Sequence, residues 1–299
     1  MKDVMIVSIS RYNRIVSVFL FVMMVFALIP SSYVRSEDSS TMHISTLDGL
    51  IEFANDINTG KIPSDTSVVL KGDLTLNEGI SSLPGEEIKY SGNQIDENNK
   101  PKQQWVPIGT LDRPYRGTFD GKGATISGLY VNDEYGNQGG LFGVLDGATV
   151  KNVTIKNSYV RTSNDNGLIC GICDNKSTIS ECNVNSSFCV TDDDDGKCIG
   201  GVCGRCRNSS RIEKCSISGG SVKGKSFIGG IVGDCDTRSE VIDCKSSGIN
   251  VSGGFGVGGI CGKCYDSSKV EKCNIVNGVV NVCVKGQSAI GGIVGDCDT

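Results

Sequence analysis

The sequence has little proline, few aromatic residues and almost no histidine. Its 299 residues include six prolines, one tryptophan and a single histidine, His43, and aromatic residues make up 6% of the chain. A metallopeptidase motif of the form His-Glu-x-x-His needs two histidines, so none is present. Beyond residue 30 there is no apolar run of the roughly 20 residues that a membrane-spanning helix requires. The sequence therefore excludes a zinc peptidase centre of this type and a later transmembrane helix within these residues.

Glycine, in contrast, is abundant. The chain has 40 glycines, and Val, Ile and Leu recur at regular intervals between them. Regular apolar residues argue against disorder, and glycine supplies the backbone conformations that tight turns need. The composition therefore predicts short strands joined by tight turns, in one or two domains.

The N-terminal segment has the pattern of a secretory signal. Three basic residues, the last of them Arg14, precede the apolar segment 15–29, which is too short to span a bilayer. We predict a signal peptide over residues 1–36 with cleavage near Ser36, which makes the mature protein secreted or bound to the cell surface. An uncleaved membrane anchor is the alternative.

The mature chain is expected to be acidic. Residues 1–36 hold four of the 29 Lys and Arg and one of the 34 Asp and Glu, so their removal leaves 25 basic and 33 acidic residues. The resulting net charge of −8 argues against nucleic acid and anionic membranes as partners.

From residue 166 onward the sequence repeats. Complete units begin at residues 166, 199, 228 and 257, another begins at 290, and a related copy without cysteine begins at 138. The intervals are 33, 29, 29 and 33 residues, and the long ones contain insertions, which we expect to be loops on one edge of a stacked array. Because the last unit stops partway through, at Thr299, we expect the sequence to be a piece of a longer protein.

Each unit has the signals of short strands and none of a helix. Apolar alternations are bounded by Gly and Ser, and one unit holds two or three such strands. These features predict an all-β fold, a parallel β-helix or solenoid, with coils of 29–33 residues stacked about 4.8 Å apart.

Stacking in register would place equivalent residues of successive units in columns. The charged columns alternate in sign wherever both neighbours are charged, which simple duplication would not produce. Opposite charges on neighbouring strands stabilise a register, and like charges destabilise it. The sequence therefore predicts ladders of ion pairs in four columns: Glu181, Lys214, Asp243 and Lys272; Thr178, Arg211, Glu240 and Lys269; Ile172, Arg205, Asp234, Lys263 and Asp296; and Asp174, Arg207, Asp236, Tyr265 and Asp298.

Two apolar columns lie between the charged ones and are predicted to face the interior. They are Ile179, Ile212, Val241 and Val270, and Val184, Ile217, Ser246 and Ile275, in which Ser246 is the exception.

Twelve of the fifteen cysteines also form columns. These are Cys173, Cys206, Cys235, Cys264 and Cys297; Cys182, Cys215, Cys244 and Cys273; and Cys170, Cys203 and Cys261. Zinc binding by the Cys-x-x-Cys pairs is disfavoured, because the pairs lie at least 29 residues apart and Val232 and Val294 replace cysteine in two units. Disulfides between coils and reduced, buried thiols remain open as alternatives.

Residues 37–137 do not follow this repeat. We predict that they form an N-terminal cap and the first, irregular coils, ahead of the repeats of 138–299. Apolar residues at helical spacing predict an amphipathic helix, capped by Ser45 or Thr46 and ended by Gly60. Such a helix would cover the open apolar end of the solenoid.

Several stretches resemble the bacterial GLUG-repeat surface proteins, named for a Gly-Leu-x-Gly motif. The matching segments are WVPIGT (105–110), YRGTFDGKGATISGLYV (115–131), GGLFG (139–143) and ATVKNVTI (148–155). The likeness continues more loosely in GGIVG and GGICG, and the cysteine columns depart from it. The resemblance implies a secreted or surface-attached, right-handed β-helix of adhesin-like or large surface proteins, with no catalytic residue in the motif itself.

One group of charged residues has the composition of a catalytic site. Parallel β-helices also carry polysaccharide lyases and hydrolases, which need clustered carboxylates and a basic partner. Asp234 and Asp236, flanked by Lys263, Arg205 and Arg207, are the candidates, and Asp296 and Asp298 repeat the pair. The ion-pair ladders explain the same residues, so we predict no catalytic residue.

No cofactor or metal site is predicted either. The acidic run 191–196 lacks the alternating ligand spacing of a calcium loop and is interpreted as a solvated turn.

The hypothesis from the sequence is a non-catalytic exported protein, an adhesin-like or structural β-helix stalk. Its partner would be a host or cell-surface protein or a glycan. The alternatives are a carbohydrate-active β-helix enzyme or binding module, and the non-catalytic N-terminal part of a large surface protease.

Overall fold

The computed structural model describes residues 33–35, 41–78, 80–81, 89–90, 101, 103–191, 196–282 and 289–297. Apart from residues 33–35, the predicted signal peptide lies outside the described residues. The four aspartates of the acidic run, part of the second insertion, and Cys283 and Asp298 also lie outside them.

The described chain forms short strands and one helix, α1 (Leu47–Thr59). The strands are β1 (Tyr33–Arg35), β2 (Thr41–Ile44), β3 (Ser67–Leu70), β4 (Leu74–Thr75), β5 (Ile80–Ser81), β6 (Lys89–Tyr90), β7 (Thr118–Asp120), β8 (Thr125–Ser127), β9 (Tyr130–Asn137), β10 (Phe142–Asp146), β11 (Thr149–Lys151), β12 (Thr154–Lys156), β13 (Tyr159–Asn164), β14 (Cys170–Asp174), β15 (Thr178–Ser180), β16 (Asn183–Val190), β17 (Lys197–Gly200), β18 (Cys203–Cys206), β19 (Arg211–Glu213), β20 (Ser216–Lys223), β21 (Ser226–Gly229), β22 (Val232–Cys235), β23 (Glu240–Ile242), β24 (Lys245–Ser247), β25 (Asn250–Gly253), β26 (Phe255–Gly258), β27 (Cys261–Cys264), β28 (Lys269–Glu271), β29 (Asn274–Val276), β30 (Val279–Val282), β31 (Ile290–Gly291) and β32 (Val294–Cys297).

Four sheets run along the molecule. Sheet A is β1-β2-β3-β7-β11-β15-β19-β23-β28; sheet B is β4-β8-β12-β16-β20-β24-β29 with β9, β13, β25 and β30 beside it; sheet C is β10-β14-β18-β22-β27-β32; and sheet D is β17-β21-β26-β31. Within these sheets neighbouring strands pair in parallel, except for β1 with β2. A separate antiparallel pair joins β5 and β6.

One coil of the repeat passes through sheets D, C, A and B in turn, for example along β17, β18, β19 and β20. The next coil stacks on it in a fixed residue register. Thr178 lies opposite Arg211, and Arg205 lies opposite Asp234, as intervals of 33 and 29 residues require. The predicted parallel β-helix and its register are confirmed.

The described members of the predicted columns occupy the positions that the register requires. Ile179, Ile212, Val241 and Val270 lie opposite one another in sheet A, and the first three are fully buried. The larger of two apolar clusters extends from Met42 to Cys264, and sheets A and B continue through the boundary at residue 137 without a break.

Buried serines form a further column, which the sequence analysis did not identify. The amide groups of Ser177, Ser210 and Ser239 donate to the hydroxyl of the serine one coil later, at 3.2, 3.2 and 3.0 Å, ending at Ser268. Each hydroxyl therefore satisfies a backbone donor at a turn where the strand pairing is interrupted.

Helix α1 has the predicted caps. The Thr46 side chain accepts from the amide of Gly49, and Gly60 ends the helix with a left-handed backbone, φ 74°. Its buried face includes Leu50 and Phe53, and the Phe53 ring contacts Tyr115 edge-on with centroids 6.0 Å apart. The helix therefore joins the same core as the first coils, as a cap must.

Candidate functional site

The turn from sheet D to sheet C depends on the Gly-Gly-x-x-Gly motif. A Cβ on Gly229 would collide with the carbonyl of Val232, and one on Gly230 would collide with the carbonyl of Gly259 in the next coil. A Cβ on Gly233 would meet the amide nitrogen of Ile199 in the preceding coil. Because all three positions are in backbone contact, sheets C and D meet in a tight corner.

A column of left-handed residues lines this corner. Gln138, Asp165, Cys198 and Phe227 have φ values of 61, 53, 62 and 58°, and the same position in the next coil is Gly256 at 59°. A bulky side chain in this region of backbone space is an outlier, and Phe227 is such a case. The column brings its side chains against the column of Arg205, Asp234 and Lys263 on sheet C.

We call the resulting group the corner cluster: Asp165, Cys198, Arg205, Asp234, Asp236, Lys263 and Tyr265. Arg205 is at its centre. Its Nη2 lies 3.1 Å from Oδ1 of Asp165 and 3.2 Å from Sγ of Cys198, and its Nε lies 3.8 Å from Oδ2 of Asp234. One guanidinium therefore bridges three coils, since Asp165, Arg205 and Asp234 belong to successive turns of the solenoid.

The carboxyl group of Asp234 is almost completely buried, with 6% of its side chain exposed. Burial raises its pKa to about 6, and Asp236 adds to the rise, while Arg205 and Lys263 oppose it. Its Oδ1 has no hydrogen-bond partner, and its Oδ2 lies 3.8 Å from the Cys198 thiol. A buried carboxyl with an unpaired oxygen favours the protonated form.

Asp236 lies two residues further along the same chain. It accepts a hydrogen bond of 3.2 Å from the hydroxyl of Tyr265, and its Oδ1 is buried without a partner. The Lys263 ammonium lies 4.4 Å from the centre of the Tyr265 ring and 5.2 Å from that of Phe227. Two aromatic rings therefore contact this cation, which lies near enough to Asp234 to oppose the rise of its pKa.

The candidate catalytic residues are thus only partly brought together. Asp234, Asp236, Arg205 and Lys263 share the corner, whereas Arg207 binds Asp174 instead, at 2.8 Å. Asp296 lies opposite Lys263 in the next coil. Arg205 contacts both Asp165 and Asp234, and burial leaves little of the Asp234 and Asp236 carboxyl groups open to a polymeric substrate.

Sequence reasoning missed Asp165, Cys198 and Phe227. The left-handed column contains Gln, Asp, Cys, Phe and Gly, so no residue type repeats and no pattern marks it. For Cys198 and Phe227 the available signal was their position two residues before a Gly-Gly pair. Asp165 lacked this signal, because Asn166-Gly167 follows it.

Within the described residues, no three His, Cys, Asp or Glu side chains converge to hold a metal ion. In the same part of the chain no helix is long and apolar enough to cross a membrane.

Comparison with known proteins gives limited matches. No family model matches the chain. A segment of 61 residues, 20% of this chain, is 44% identical to halomucin of Haloquadratum walsbyi, and the match spans 1% of that protein. The fold is similar to the crystal structure of a putative immunoglobulin A1 protease from Bacteroides ovatus, with a TM-score of 0.54, 20% identity, and coverage of 88% of this chain and 85% of that one. At this identity the likeness shows the β-helix fold alone.

Proposed function

We propose that the chain is a non-catalytic, exported β-helix of the GLUG-repeat type, which acts as a stalk and presents its flanks to a partner at the cell surface. The observation that carries the proposal is that charged residues form ion pairs between successive coils. Arg205 joins Asp165 to Asp234, and Arg207 joins Asp174 in the preceding coil. These side chains hold coils together, which is the requirement of a stable rod. The Gly-Leu-x-Gly motif and the signal-like N-terminal segment support the same assignment.

Export is tested with the full chain carrying a C-terminal epitope tag in a secreting host. We expect the mature N-terminus near Glu37. The tag should be accessible to externally added protease, either on intact cells or in the medium. The matched control is the double variant V22D/F26D, which interrupts the apolar segment 15–29 and should retain the tag inside the cell. Protection of the tag in the unaltered chain, with residues 1–36 still present, would overturn the proposal.

Catalysis is tested with the variants D234N and D236N. We expect no cleavage of pectin-type or other acidic polysaccharides by the unaltered chain, and a change in thermal stability for D234N. A polysaccharide-cleaving activity lost in both variants would favour the carbohydrate-active alternative.

The partner is sought among surface glycoproteins and glycans with the mature chain immobilised, and boiled protein serves as the control for fold-dependent binding.

A further inference from the structure

The described cysteines fall into contiguous columns and isolated positions. In sheet C, Cys170 lies opposite Cys203, and the column beside it runs through Cys173, Cys206, Cys235, Cys264 and Cys297. In the turn after sheet A, another column contains Cys182, Cys215, Cys244 and Cys273. The amides of Ser216, Lys245 and Asn274, each the residue after a cysteine, donate to the carbonyl of the cysteine one coil earlier. All of these are buried except Cys273 and Cys297.

Three other cysteines have no sulfur directly above or below them in the described coils. Cys189 lies between Val160 and Val222, and Cys261 lies between Val232 and Val294. Cys198 belongs to the left-handed column, between Asp165 and Phe227.

The side chains of a contiguous column share one orientation. Cys182, Cys215, Cys244 and Cys273 each place Sγ 3.3 Å from the carbonyl oxygen two residues earlier, and 3.5 to 3.9 Å from a carbonyl of the preceding coil. Their sulfur atoms therefore stack directly along the solenoid. Neighbouring strands set their Cα atoms about 4.8 Å apart, within the range that a disulfide bridges. A bond requires rotation of the two side chains towards each other and an approach of their Cβ atoms to about 4.5 Å or less.

We propose that the contiguous columns are the sites of disulfide cross-links between successive coils. One bond joins Cys170 to Cys203, two bonds join Cys182 to Cys215 and Cys244 to Cys273, and two bonds form in the column that starts at Cys173. Cys189, Cys198 and Cys261 stay thiols. A bond within a Cys-x-x-Cys stretch is excluded, because residues three apart in a strand are roughly 10 Å apart.

The reaction is thiol–disulfide exchange with a disulfide donor such as oxidised glutathione. A cysteine thiolate attacks the donor and releases one thiol, and the cysteine of the next coil then displaces the second. Two protein thiols lose two electrons and two protons, and the donor disulfide becomes two thiols. In the folded state burial raises the pKa of Cys203 well above its ordinary value, and the neighbouring thiols of Cys173 and Cys182 do the same for Cys206 and Cys215. The thiolates are thus scarce once the coils have closed, so exchange belongs to folding.

The proposal rests on the proposed function in one respect, because it needs export to an oxidising compartment. Its geometry is tested without export. The full chain is unfolded and reduced, then refolded either in a mixture of reduced and oxidised glutathione or in excess dithiothreitol. Thiols are alkylated after denaturation and mapped by peptide mass spectrometry. We expect linkages along the columns only in the glutathione sample, with label on Cys189, Cys198, Cys261 and one member of the Cys173 column.

Two valine variants serve as a matched pair. C203V places at this position the residue that the same column already carries at Val232 and Val294 in later coils, so it should fold and lose the bond to Cys170. C189V resembles its own neighbours Val160 and Val222 and should lose none. The oxidised chain should melt at least about 5 °C higher than the reduced chain, and this difference should shrink in C203V only.

Two results would overturn the proposal: a folded chain from the glutathione mixture in which every cysteine is alkylated, or bonds such as Cys170 to Cys173 within one strand. If refolding in glutathione gives the predicted bonds but the chain from the secreting host is reduced and intracellular, the proposed function fails and the cross-linking geometry stands.

Discussion

Arg211 and Glu240 lie directly opposite each other in neighbouring strands of sheet A, with Nη2 2.8 Å from Oε2. The next residue in this column is Lys269. Glu240 is therefore flanked by a cation in the coil before and by another in the coil after. Side-chain exposures of 42% for Arg211 and 33% for Glu240 keep the interaction partly screened.

A charge reversal at Glu240 should destabilise the stack. E240K creates three consecutive cations in one column, and we expect the free energy of unfolding to fall by roughly 1 kcal/mol. E240Q, the matched neutral control, should lose about half as much. Urea denaturation at low ionic strength and in 1 M NaCl measures both, and the difference between the variants should shrink in salt. Equal losses at both salt concentrations would refute an electrostatic ladder.

The same column shows how much of the fold the sequence contains. A repeat of 29 or 33 residues makes equivalent positions neighbours in the stack, so the alternation of Arg211, Glu240 and Lys269 was predictable from the sequence. The corner cluster was not readable in this way. Asp165 and Cys198 approach Arg205 because glycines let two sheets meet at a corner, and the residues in the left-handed column share a backbone conformation but no residue type.

The tight corner between sheets C and D predicts that a side chain at Gly233 destabilises the protein. A Cβ on Gly233 would lie 2.5 Å from the carbonyl carbon of Cys198 and closer still to the amide of Ile199. Since both are backbone atoms, G233A should cost at least about 3 kcal/mol or prevent folding. G248N is the control: Gly248 has φ 58° with no atom within 4 Å, and the equivalent Asn277 has φ 53°. Thermal denaturation should show a large loss for G233A and almost none for G248N. Similar melting temperatures would contradict the tight corner.

Stability should depend on pH through Asp234. Burial raises its folded-state pKa to about 6 from the ordinary 3.8, so the folded protein holds this proton more tightly than the unfolded chain does. Its contribution is fully present below about pH 4 and is lost as the pH rises through about 6, a change of up to about 3 kcal/mol. Asp165 shifts in the same direction, so the variant D234N isolates the effect.

The measurement is the melting temperature of both proteins from pH 4 to pH 7.5. The unaltered chain should lose stability relative to D234N across this interval. Parallel curves would show that Asp234 does not titrate in the folded state with the raised pKa.

The last prediction concerns the polar residue in an apolar column. Ser246 is fully buried between Ile217 and Ile275, and its hydroxyl has no hydrogen-bond partner. S246V removes the unpaired hydroxyl and adds apolar volume, so it should stabilise the protein by about 1–2 kcal/mol. The control is S239V, because the hydroxyl of Ser239 accepts from the amide of Ser210 at 3.2 Å and its loss should cost about 1–2 kcal/mol. Guanidinium denaturation should move the two midpoints in opposite directions. A loss of stability in both variants would mean that the space around Ser246 is too small for a branched side chain, although the Ile217 side chain occupies the corresponding space beside Gly201.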